Sequence, residues 1–570
     1  MHASQGRLAI IVLIGALCAC VAPERGVGSQ PRAGASEGPR SPKRITIAIN
    51  VEPPSLHYNL IPNPIRAAPG SIQEIVHPGL TEWDNQGTLR PVLVEAVPSV
   101  DNGLWRVEPD GSMEMTWTIR QGATWHDGAP VTTGDLGFTV QLMRDKDLAV
   151  FHDKYSDLID GVDAPDERTV TVHWRKPYID ADTLFTYTRG LPVAAHLMER
   201  TYTDNHAGFL DSSYWSTDFV GTGPFRLKDW SRGSHLTLAA YDGYILGRPK
   251  LDEIQVDFVA DGNALASNIL AGAVDLTLRQ SLSVDQALAL RDQWKDGKVY
   301  TSADGWAVVY PQFVGANPPI VLNVQFRKAL LTGIDRQQLA DQLMAGLLPI
   351  AESPLFPGTS EYQATEAQIV HYAYDPQAAS QMIERLGYSR GPDGLMRDST
   401  GQKLTIEVRT ATQRDLHTKT LFPVVDYWQQ LGVDAQPLVI PAQNATNLEE
   451  QATFPAFQVL RQPAGRARMV GLHSSEARLP ERNYTGSNNG RYINPDLDAL
   501  IDQYTVTIPI ASRYQISGQM VHLITDQLPV LPLFFDATPS LVGSRLKGVT
   551  TLNGDENARQ AWNSQEWDVE

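Results

Sequence analysis

The stretch Trp117-Thr118-Ile119-Arg120-Gln121-Gly122-Ala123-Thr124-Trp125-His126-Asp127-Gly128, continued by Pro130-Val131-Thr132-Thr133-Gly134-Asp135, joins a strand, a turn and a helix start in one short run. Upstream, Met113 to Ile119 alternates apolar and polar residues, the period of a half-buried strand. His126-Asp127-Gly128 reads as a turn in which glycine supplies the positive φ. From Gly134 to Met143 apolar residues recur at helical spacing. The same alternation extends outward in both directions. Arg44-Ile45-Thr46-Ile47-Ala48-Ile49 and Thr169-Val170-Thr171-Val172-His173-Trp174 read as strands. Asn263–Ala271, Val324–Leu331, Pro376–Leu386, Leu421–Leu431 and Pro495–Tyr504 read as helices. Strands and helices are interspersed throughout, which predicts an α/β (mixed α+β) body. A chain of 570 residues exceeds one hydrophobic core, so at least two domains or lobes are expected.

The formal net charge of -18 argues against nucleic acid and against polybasic docking on anionic lipid. The two cysteines, Cys18 and Cys20, both lie in the first twenty residues. A thiol nucleophile, a disulfide framework and a Cys-ligated metal are therefore excluded from the body.

Arg7 precedes an apolar run from Leu8 to about Leu17. That run is shorter than the roughly 20 residues needed to span a bilayer and fits the h-region of a secretory signal. Leu17-Cys18-Ala19-Cys20 resembles the bacterial lipobox, with Leu17 three before Cys20 and small Ala19 directly before it. The resemblance implies removal of residues 1–19, diacylation of Cys20 and anchoring at the outer face of a cell membrane. Residues 20–44, rich in Gly, Ser, Pro and Ala, read as a flexible tether.

Several separated stretches resemble the extracytoplasmic solute-binding proteins of the oligopeptide, dipeptide and nickel ABC importers. They are Asn50-Val51-Glu52-Pro53-Pro54-Ser55-Leu56; His77-Pro78-Gly79-Leu80 with Leu89 to Glu95; and the opening stretch Trp117–Asp135. Gly221-Thr222-Gly223-Pro224-Phe225, Leu251-Asp252-Glu253-Ile254 and Gly272-Ala273-Val274-Asp275 follow in order. In the second half, Val324 to Leu330 with Ile334-Asp335-Arg336 belongs to the same pattern. Tyr374-Asp375-Pro376 to Tyr388, Asn494 to Leu500, and Leu528 to Leu533 complete it. Most of these positions are expected to be structural.

The resemblance implies a two-lobed, periplasmic-binding-protein-like fold. Its first lobe would span 45–310 with an extra subdomain near 75–215, its second lobe 311–524, with 525–570 returning to the first. It implies a monomer that closes on a peptide or peptide-like solute and hands it to permease subunits. In many peptide-binding relatives an aspartate in a second-lobe segment meets the peptide amine. Here the corresponding Ala456–Arg468 has no aspartate and offers Arg461, Arg466 and Arg468. A guanidinium fork suits carboxylate or phosphate, so an anionic or carboxylate-rich solute is favoured. Asn483, Tyr484, Ser487, Asn488, Arg491 and Tyr492 form a second candidate contact stretch, able to bond or stack on a ligand. Glu52, Trp306, Tyr310 and Gln312 are further candidates from their place in the family pattern.

No P-loop, His-Glu-x-x-His or Gly-x-Ser-x-Gly is present. Gly221-Thr222-Gly223 fails as a dinucleotide fingerprint because Arg226 stands where the third glycine belongs. His152, His371 and His417 have no metal-ligand spacing. No cofactor, metal site or catalytic residue is expected. A peptide sensor or chaperone on the same fold, and an exported hydrolase, are the alternative classes.

Overall fold

Two long strands, Gly297–Pro311 and Leu531–Gly543, pair antiparallel from Gly297 opposite Gly543 to Val309 opposite Leu531. They form the middle of a ten-stranded sheet. The computed structural model describes residues 41–62, 67–152, 154–411, 415–441, 447–552 and 554–570. The signal segment, most of the tether, and Cys18 and Cys20 lie outside the described residues.

On one side of the long pair stand Phe457–Gln462, Thr405–Ala411 and Asp434–Ile440; on the other, Leu276–Thr277, Arg44–Ile49, Glu253–Phe258, His235–Ala240 and Phe225–Ser231. The first side packs on Val324–Thr332, Arg336–Met344 and Asp415–Gln430, around Phe326, Val408 and Trp428. The second side packs on helix Ala67–Val76 around Ile47, Ile72 and Val256. A separate four-stranded sheet, Trp105–Val107, Met113–Thr118, Thr169–Trp174 and Ile159–Asp163, buries Trp117, Trp125 and Trp174. The fold is thus mixed α/β, with one boundary expected at 310/311 at the end of a long strand. The boundary expected at 524/525 falls inside helix Ile510–Gln527.

Local chemistry sets the helix starts. Asp375 accepts from the N–H of Gln377 and Ala378 with Pro376 as the first helical residue, and Asn494 and Pro495 repeat the arrangement. Thr132 and Asp135 form a capping box at Thr133–Arg144. The periodicity of Leu421–Leu431 belongs to a helix that begins earlier, at Asp415.

The separated sequence motifs meet in space. His126 is buried; one ring nitrogen accepts from the Gly221 N–H at 3.2 Å and the other bonds the Gly223 carbonyl at 3.0 Å. His77 bonds Thr222 at 3.1 Å and the Pro192 carbonyl at 2.8 Å. Burial holds the pKa of His126 at about 3 and of His77 at about 4, so both rings are neutral bonding groups. Glycine at 79 is required, since a Cβ there would stand 2.1 Å from the Phe185 carbonyl oxygen. In the second half, Arg327 donates to the carbonyls of Leu528, Val321 and Gln527 at 3.1, 2.9 and 2.6 Å. These positions act as joints between distant segments.

Candidate ligand-binding site

The long strand pair is irregular between Ala303 and Gly305, where an extra residue breaks the register. Such a bulge twists the ladder and re-aims side chains. Above it lies a cavity of about 1150 Å³. Its floor is Ala303, Gly305 and Asp536 to Pro539; Asn50, Glu74, Tyr187, Arg279 and Ser281 line one side. Met344, Asp415, Lys419, Arg461 and Arg468 line the other. That volume exceeds the roughly 300–1,000 Å³ of ordinary small-molecule pockets.

Three of the cations in the wall carry a matching acid. Arg461 Nε lies 2.7 Å from Asp536, and only 7% of its side chain is exposed. Gly305 makes room for it: a Cβ there would come within 2.7 Å of the guanidinium carbon. Arg559 lies 3.5 Å from Glu74 and over the Tyr187 ring at 4.4 Å. Burial pushes the Glu74 carboxyl up to about 7, against the pull of Arg559 and Arg279. Lys419 lies 2.9 Å from Asp415 on its own helix and 3.2 Å from Asp285 across the cavity.

Arg468 differs. Its Nη1 donates to Gln462 at 3.0 Å, its Nε is buried without an acceptor, and no carboxylate lies in ion-pair range among the described residues. Arg468 stands at the helix Arg466–Val470, just past the strand Phe457–Gln462 that carries Arg461. The Tyr187 hydroxyl and the Ser281 hydroxyl, both in the cavity wall, are also buried without a hydrogen-bond partner among the described residues.

Of the residues singled out from sequence, Arg461 and Arg468 line this cavity. Arg466 lies beside it, 2.7 Å from Asp180 and 3.3 Å from Glu556, the latter a lining residue. The others belong elsewhere. Trp306 and Tyr310 are 1% and 2% exposed within a hydrophobic cluster. Gln312 donates to the carbonyls of Ala452 and Phe454, and its oxygen accepts from Phe313, Val314 and Arg491. Tyr484 donates to Glu449, and Ser487 to the Gly471 carbonyl. Asn488 holds the carbonyls of Leu472 and Tyr492, and Tyr492 packs on Phe313 at 4.7 Å. Arg491 donates to the Val314 carbonyl, and Asn483 takes a left-handed turn conformation with φ 50°. Glu52 accepts from Trp230 Nε1 and the Gly233 N–H, both at 2.9 Å. Short-range patterning carried no sign of Glu74, Arg279, Lys419, Asp536 or Arg559, which converge from five distant segments. Among the described residues no cluster of His, Cys, Asp and Glu could hold a metal ion, and no helix is long and apolar enough to cross a membrane.

The family model for bacterial extracellular solute-binding proteins, family 5 Middle, matches residues 95–465. The chain belongs to this family. One relative, the oligopeptide-binding protein OppA of Bacillus subtilis, is 23% identical over 546 residues, covering 90% of this chain and 92% of OppA. Among solved structures, the oligopeptide-binding protein of Thermus thermophilus complexed with a pentapeptide superposes with a TM-score of 0.70 at 20% identity, covering 92% of this chain and 96% of that one. NikZ of Campylobacter jejuni in complex with Ni(L-His) gives 0.71 at 18% identity, with coverage of 92% and 99%. These likenesses show the two-lobed fold of family 5, which holds quite different solutes in those two proteins.

Proposed function

We propose that this family 5 chain captures a peptide-like solute bearing an anionic group between its halves and delivers it to the permease of an ABC importer. A lipid on Cys20 would hold it at the outer face of the membrane, and residues 20–44 would give it reach. We place the first lobe at about 45–310, the second at about 311–524, and the return to the first at about 525–570. The long strands that cross between them are the natural hinge, because their bulge already interrupts the ladder. Closure is stabilised only by a solute that binds the closed form better than the open one.

The observation that carries the solute class is Arg468, a cavity-wall guanidinium with no carboxylate partner among the described residues. Its neighbours Arg461 and Arg466 are already neutralised by Asp536, Asp180 and Glu556. An uncompensated cation in a partly buried wall is stabilised by an anion from outside. Native mass spectrometry of the purified chain identifies the co-purified solute, and calorimetric titration of that compound tests the contact. A charge-assisted bond contributes about 1.5–3 kcal/mol, so Arg468→Ala should weaken binding roughly tenfold to a hundredfold. Arg468→Lys should also weaken it, because an ammonium cannot reproduce the fork. Wild-type affinity in both variants would remove Arg468 from the site.

A further inference from the structure

Three helix ends and one strand bring apolar side chains to the cavity wall. Val284 opens the helix Val284–Gln293, Leu343 and Met344 close the helix Arg336–Met344, and Leu416 lies in the first turn of the helix Asp415–Gln430. Ala537 comes from the long strand Leu531–Gly543. All five line the cavity, and all five belong to one hydrophobic cluster or pack against it. Val284, Met344 and Ala537 are buried, whereas Leu343 and Leu416 remain half-buried.

Two contacts hold these elements together at the cavity. The Met344 sulfur accepts from the Ala537 N–H at 3.3 Å. Lys419, three residues after Leu416 on its helix and so on the same side, lies 3.2 Å from Asp285, which follows Val284. Lys419 also meets Asp415 at 2.9 Å. The charges at the edge of the patch thus have partners of their own, and the surface between them is left to apolar contact. Single exposed apolar residues are ordinary on a protein surface. Five in one cluster, drawn from four elements distant in sequence and set in a concave wall, are the arrangement of a ligand pocket, where apolar lining supplies affinity and a few polar groups fix orientation. Arg468 is such a polar group and stands on a different element, the helix Arg466–Val470.

We propose that Val284, Leu343, Met344, Leu416 and Ala537 form an apolar subsite, which selects a solute carrying an aliphatic or aromatic side chain in addition to its anionic group. This rests on the reading that the cavity holds a peptide-like anion. Val284 falls in the first lobe as we place it, Leu343, Met344 and Leu416 in the second, and Ala537 in the return stretch. A side chain seated there touches both halves and is most fully buried when they close. Burying one leucine-sized side chain raises affinity roughly tenfold to a hundredfold.

Three tripeptide pools, with binding to the mature chain read by native mass spectrometry, test the subsite. The first pool holds one glutamate and two leucines in every order. The second replaces the leucines by serine. The third keeps the leucines, replaces glutamate by glutamine and amidates the C-terminus, which leaves no anionic group. The chain should bind the first pool at least about tenfold more tightly than the second. Leu343→Gln with Leu416→Gln, checked for folding by circular dichroism, should abolish that preference, and Leu416→Gln alone should reduce it. Phe422→Gln, at an exposed position on the same helix as Leu416, should retain it. Equal binding of the first two pools overturns the subsite, as does a preference that survives the double substitution. A third pool bound as tightly as the first removes the requirement for an anion and leaves the subsite standing. Binding of no pool overturns the peptide-like reading and the subsite together.

Discussion

Arg327 offers a quantitative test of how the second half is held together. The residue is 2% exposed, donates to three carbonyls and lies over the Phe313 ring at 4.8 Å. Two of its acceptors, Gln527 and Leu528, are at the C-terminal end of helix Ile510–Gln527, where carbonyls have no partner within the helix. Arg327→Met keeps the aliphatic volume and removes every donor. Each buried carbonyl left unsatisfied costs about 1–3 kcal/mol, so the three together cost roughly 6. Against this stands relief of the buried charge: burial pushes the guanidinium pKa down to about 10, a penalty of ~3 kcal/mol. The net destabilisation expected is about 3 kcal/mol, read from the urea midpoint of the mature chain by tryptophan fluorescence. Lys328 supplies the control. It carries the same charge one residue on and pairs with Asp526 at 2.6 Å in a more exposed setting. Lys328→Met should cost less than ~1 kcal/mol. Equal midpoints for the two variants would refute the reasoning, because they would show that Arg327 does not satisfy those carbonyls.

Two further outcomes are expected. His57, His77 and His126 are held by burial at about 3, 4 and 3, so their rings should stay neutral in histidine NMR spectra down to pH 5; protonation of any of the three near 6.5 would contradict the packing. Asn488→Ala, which frees the Leu472 and Tyr492 carbonyls, and Glu52→Ala, which frees Trp230 Nε1 and the Gly233 N–H, should each lower stability by about 1–3 kcal/mol and leave solute affinity unchanged; a shifted affinity would place either residue at the solute.

Patterns within a few residues of each other were legible without coordinates. Alternation located Arg44–Ile49 and Thr169–Trp174 to the residue, and Asp375-Pro376 and Asn494-Pro495 mark real helix starts. These features depend on one face, one cap or one turn, which neighbouring side chains determine. The run Trp117–Asp135 likewise announced a strand, a turn and a helix. Its His126 read as part of a turn, whereas its ring is the bridge to Gly221 and Gly223. The long strands Gly297–Pro311 and Leu531–Gly543 were also not marked as one pair, since their ladder joins segments more than two hundred residues apart.

The candidate site divides along the same line. A cluster of three arginines is visible in sequence, but which of them is uncompensated depends on partners far along the chain. Asp536 neutralises Arg461, Asp180 and Glu556 neutralise Arg466, and Arg468 meets Gln462 and Tyr310 with no carboxylate in ion-pair range among the described residues. Asn483–Tyr492 has the polar and aromatic composition of a contact loop, yet Tyr484 donates to Glu449, Arg491 to Gln312 and the Val314 carbonyl, and Ser487 and Asn488 to the carbonyls of Gly471 and Leu472. Local sequence determines element type, because propensity, capping and periodicity act over one or two turns. The availability of a charge to a ligand is determined by tertiary structure, because electrostatic compensation acts through space and takes no account of separation along the chain.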